Sequence, residues 1–147
     1  MYKYIILLHI LGATVWTGGH LILSILILPK ALKNKSVEII QNFEGPYEKI
    51  GIPALILQVL TGLYLAHNML PDFSLWLSFL PGVPSLIGYK LILLLLTIIF
   101  AADARLRIIP RLNENNLTSL AWHIIPVTII SILFIVIGVS FRAGEFF

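Results

Sequence analysis

Residues 9–20 read His9-Ile10-Leu11-Gly12-Ala13-Thr14-Val15-Trp16-Thr17-Gly18-Gly19-His20, inside the first apolar stretch of a 147-residue chain. At 100° per residue the eleven steps from His9 to His20 make three turns plus about 20°. Both imidazoles therefore leave one helix face, about 16.5 Å apart along the axis. Gly12, Gly18 and Gly19 lie between them and keep that face small, with Trp16 among them. Ionisable or metal-binding side chains within a membrane span are costly and usually mark function. His67 and His123 fall in other apolar stretches. The class follows: a small all-α membrane protein with histidines at two depths of the bilayer.

Composition agrees. The chain is 59% hydrophobic and 12% charged, with a mean hydropathy of +0.97, far from a soluble domain. The length leaves room for four spans with short connections, and for no separate soluble domain. The first span has only Lys3 before it and outruns a signal-peptide core, so it is expected to be retained. Cysteine is absent, which excludes disulfides, thiolate metal sites and a Cys nucleophile. The only methionines are Met1 and Met69, so a copper site would depend on imidazole rather than soft sulfur. The net charge of +3 is loop-bound and not interleaved with aromatics, which argues against nucleic acid as a partner. No catalytic triad, phosphate loop or carboxylate dyad is present, and no catalytic residue is assigned.

The apolar runs place spans at about 4–28, 50–66, 86–104 and 120–141, each near the ~20 residues a crossing needs. They form one transmembrane domain over 1–147, a four-helix bundle. Pro29 is expected to stop span one. Ser36 reads as the N-cap of a short interfacial helix, Val37 to Phe43, between spans one and two, with Val37, Ile40 and Phe43 on one face. Pro53 falls near the start of span two, where proline is tolerated. Pro71, Pro81 and Pro84 with Trp76 and Phe79 mark 68–85 as a structured connection at headgroup level. Pro126 is expected to kink span four.

Loops one–two and three–four carry Lys30, Lys33, Lys35, Lys49, Arg105, Arg107 and Arg111, seven basic residues against Lys3, Lys90 and Arg142 elsewhere. The positive-inside rule then puts both termini outside, in the inner membrane of a bacterium. An up-down bundle sorts the histidines into an outer pair, His9 with His67, and an inner pair, His20 with His123.

Paired imidazoles from facing helices are the usual axial ligands of b-type haem in a membrane bundle. Gly12, Gly18, Gly19 and Gly62 would let a porphyrin approach the backbone. The residues thus predict one or two b haems held by His9, His20, His67 and His123, with Gly12, Gly19 and Lys90 also at the cofactor. Lys90 either snorkels or pairs with a cofactor carboxylate. Asp103 and Arg107 read as an i,i+4 ion pair, and Gln58, Thr61, Thr128 and Ser131 as interhelical hydrogen-bond formers.

The His9–His20 run resembles the first helix of the copper resistance protein D (CopD) family. So do Phe43-Glu44, the stretch from Gly51 to Gly62, Lys90-Leu91-Ile92-Leu93-Leu94 and Ala121-Trp122-His123-Ile124. That resemblance implies copper resistance or copper movement across the membrane. The layout is also similar to the HemJ-type protoporphyrinogen oxidases, in which His9 and Lys90 would take the roles of an essential histidine and lysine. The segment before Lys90, Ile87-Gly88-Tyr89, departs from that pattern. The three readings are ordered as haem-based electron transfer, copper handling, and porphyrinogen oxidation; an enzyme here would be a haem-dependent membrane oxidoreductase. Beyond the lipid bilayer, the expected partner is a redox protein or quinone, with self-association left open.

Overall fold

The computed structural model describes residues 1–144. Among these residues there is no strand, and four helical stretches are long and apolar enough to cross a membrane: Tyr2–Asn34, Val37–Met69, Val83–Arg111 and Leu117–Ala143. The first comprises α1 (Tyr2–Ile22), a π-helical turn (Leu23–Ile27) and α2 (Leu28–Asn34). The others are α3 (Val37–Met69), α4 (Val83–Asp103), which continues through a second π turn (Ala104–Ile108), and α5 (Leu117–Ala143). Large apolar side chains such as Leu7, Ile25, Ile56, Leu95 and Ile129 stay exposed. In water that would be a liability, but in a bilayer they face lipid.

Pro29 does not stop the first helix. It lies in the first turn of α2, directly after the π turn. A proline removes one N–H donor and pushes against the carbonyl four residues back. Widening the preceding turn moves that carbonyl away, and the helix runs on to Asn34. The second π turn is likewise followed by a proline, Pro110, in a short 3-10 turn. Both devices sit at the basic end of the molecule.

The amphipathic segment at Val37 is helical with Ser36 at its N-cap, although no hydroxyl bond caps it. It then runs unbroken into span two, so Pro46 and Pro53 are both internal to one 33-residue helix. At 1.5 Å per residue this helix is about 50 Å long, well beyond a ~30 Å hydrocarbon core, and its Val37 end projects past the bilayer. Helix α5 passes through Pro126 without interruption.

Close packing joins α1 to α3, α1 to α5, and α4 to α5. Helices α3 and α4 make no comparable contact, so one side of the bundle is open. Small residues bring α1 against α3: a Cβ on Gly12 would lie 3.0 Å from the Ala54 carbonyl oxygen. At the basic end Leu23, Leu28, Ala31, Ile40, Leu117, Leu120, Ala121 and Ile124 form one core, while Leu86, Leu93, Ile130 and Ile137 seal α4 to α5. In the 70–82 connection Trp76 is buried and donates Nε1–H to the Leu70 carbonyl at 2.9 Å. Asp72 is held below the usual carboxylate range by the Ser74 hydroxyl and backbone N–H, both donating to it.

Candidate metal centre

His9, on α1, is half-buried, and its Nδ1 lies 2.9 Å from the Thr61 hydroxyl of α3. Thr61 gives its own hydrogen to the carbonyls of its helix, Leu57 at 2.7 Å and Gln58 at 3.2 Å. The imidazole must therefore donate from Nδ1, and Nε2 carries the lone pair. Gly62 makes the space: a Cβ there would meet the ring at 3.0 Å.

His20 repeats the arrangement eleven residues on. Its Nδ1 lies 3.0 Å from the Trp16 carbonyl, which only accepts, so Nδ1 again holds the hydrogen. Tyr47 of α3 donates to the same carbonyl at 3.0 Å, and its ring meets the imidazole edge-on at 5.9 Å. The Trp16 ring lies 4.3 Å from the imidazole on the other side. Among the described residues no hydrogen bond falls on Nε2 of either histidine. An Nδ1–H fixed by a neighbour with Nε2 open is how metal-ligating histidines are oriented.

The other two histidines are engaged elsewhere, and neither expected pair forms. His123 donates Nδ1–H to the Ser119 carbonyl at 2.7 Å, and its Nε2 meets Asp103 of α4 at 2.7 Å. Asp103 also binds Arg107 at 2.8 Å, the i,i+4 pair expected from sequence. Both nitrogens of His123 are thus taken. His67 is exposed and stacks on Phe73 of the following loop, centroids 5.0 Å apart.

Register explains the failure. The His20 carbonyl accepts from Thr128 of α5 at 3.2 Å, five residues and about 7.5 Å along the helix from His123. His9 is level with Thr61, six residues and about 9 Å from His67. Direction adds to it, because the His20 ring lies among Trp16 and Tyr47 while His123 faces α4.

The glycines also serve packing within the chain. A Cβ on Gly19 would fall 2.0 Å from the Tyr47 ring, and Gly12 is closed by Ala54 and Gln58. A haem held by two histidines with porphyrin against Gly12 and Gly19 does not fit this arrangement. Among the described residues no three His, Cys, Asp or Glu side chains gather around a common point.

Lys90 is half-buried on α4, with Nζ 5.3 Å from the Phe141 ring centroid and within electrostatic range of His9. On α3, against Gly12, the buried Gln58 Oε1 has no hydrogen-bond partner among the described residues. Tyr47 is the functional neighbour that sequence reading missed. The signal was available, since Gly19 and Gly51 flank its ring from two helices, but only the α1–α3 register brings the three together.

The fold and these residues define a class: a multi-pass helical membrane protein whose first helix carries two imidazoles, each held through Nδ1. The family model for copper resistance protein D matches residues 41–141, and the chain belongs to that family. No curated protein and no solved structure matches it significantly. Similarity to the HemJ-type oxidases receives no support from these comparisons.

Proposed function

We propose that the protein handles copper within the membrane, using Nε2 of His9 and Nε2 of His20 as two separate stations on one helix. The observation that carries this reading is the shared geometry of the two rings, each with Nδ1–H fixed and Nε2 open. Family membership supplies the ion. The two residues lie about 16.5 Å apart along the helix axis, too far to share one copper, so the arrangement suits sequential occupancy rather than one closed site. Imidazole is a suitable copper ligand, and a station with few ligands releases its cargo readily.

Haem-based electron transfer is the second reading. It is favoured by Lys90, a cation at the level of His9 able to meet a propionate. With His67 and His123 engaged elsewhere, each haem would have one of these imidazoles as its sole protein ligand. Both readings place the chain in the bacterial inner membrane with the basic loops inside. A carboxy-terminal fusion reporter that requires the periplasm should then be active.

The deciding experiment loads the purified protein with copper and measures metal per protein, alongside an oxidised and dithionite-reduced optical spectrum. Copper handling predicts bound copper that falls in His9→Ala and again in His20→Ala, with no Soret band. A Soret band lost in the same variants establishes haem. Copper retained in the double variant overturns the station assignment.

A further inference from the structure

No carboxylate among the described residues pairs with Lys90. Among the described residues the ion pairs are Glu48–Arg105, Asp103–Arg107 and Asp103–His123, all toward the basic end. Lys90 is the eighth residue of α4, about 10 Å from that helix's start at the other end of the molecule.

A lysine that merely snorkels puts its ammonium into water. Here Nζ instead turns onto α5, against Gly138 (3.5 Å from a Cβ built there) and the Phe141 ring at 5.3 Å. A cation–π contact offsets only part of the cost of desolvating an ammonium. His9 feels this charge from α1. Helices α3 and α4 do not pack closely, so the bundle is open on that side.

We propose that Lys90 is the recognition group of a binding site for the anionic head of a membrane amphiphile, phosphate or carboxylate, which enters from the bilayer between α3 and α4. The ammonium neutralises the head, and the apolar tail stays in lipid along the open side. The inference does not use the metal chemistry of His9 or His20.

The test uses the full chain purified in neutral detergent, with Glu145, outside the described residues, replaced by glutamine throughout so that it cannot serve Lys90. Thermal unfolding is followed with added phosphatidylglycerol, oleate or phosphatidylcholine in this parent protein and in Lys90→Met. The parent should gain several degrees from an anionic amphiphile, Lys90→Met clearly less, and phosphatidylcholine should move neither. A response to phosphatidylglycerol alone identifies a phosphate head, to oleate alone a carboxylate, and to both a general anion site. Equal responses in the two proteins, or none in the parent, overturn the proposal. Should Lys90→Met fail to fold, Lys90→Gln and the anionic amphiphile retained per protein in native mass spectrometry give the same comparison.

Discussion

His20 and His123 begin from the same local motif and end in different chemical states. Each donates Nδ1–H to the carbonyl four residues earlier on its own helix, Trp16 for His20 and Ser119 for His123. Each therefore turns Nε2 away from its own backbone. What differs is the neighbour. His123 faces α4, where Asp103 takes Nε2 and also binds Arg107. His20 lies among Trp16 and Tyr47, aromatic groups that orient the ring and leave Nε2 open. A helix-bonded histidine thus keeps its second nitrogen open or commits it to a carboxylate according to the helix it meets.

The largest effect should come from erasing that difference. Asp103→Ala removes the acceptor on Nε2 of His123, so this ring becomes free to take metal, and copper bound per protein should rise. The lost hydrogen bonds to His123 and Arg107 should lower the unfolding temperature slightly, because the Asp103 carboxylate is solvent-screened. Metal analysis with thermal unfolding reads both changes. Unchanged stoichiometry would mean that the ion pair is not what separates the two histidines.

Gly19→Ala sharpens the comparison from the other side. Its Cβ would sit 2.0 Å from the Tyr47 ring, whereas beside Gly18 nothing lies within 4 Å. Gly19→Ala must displace Tyr47 from the Trp16 carbonyl, at an overpacking cost of about 1–3 kcal/mol. It should also weaken copper binding at His20. Gly18→Ala should be neutral, or stabilising by up to ~1 kcal/mol through helix propensity. Equal stability in the two variants would show that the α1–α3 packing at Tyr47 is looser than described.

The smallest effect is expected at the other ion pair of the basic end. Glu48→Gln breaks the contact with Arg105, whose side chain is 56% exposed, and should cost under about 1 kcal/mol. Copper binding at His20 should not change, although Glu48 directly follows Tyr47 in sequence. A metal effect here as large as that of Gly19→Ala would extend the His20 site to the charged end of α3.

The sequence by itself determined that this is an all-helical membrane protein, because apolar runs of span length have no other stable arrangement in lipid. Local rules also placed the Asp103–Arg107 pair and the histidine spacing on α1, since both depend only on residues within one helix. Pro29 was misjudged as a breakpoint, because whether a π turn absorbs a proline depends on the packing around it. The histidine pairs failed for a related reason. Sequence gives the depth of a side chain to within a turn or two, while ligation demands agreement within an ångström or so in depth and rotation. That register is set by contacts between helices: Gly12 on Ala54, Tyr47 between Gly19 and Gly51, Thr128 on the His20 carbonyl. Only the tertiary structure decided that His123 belongs to Asp103 and that His9 and His20 keep an open nitrogen.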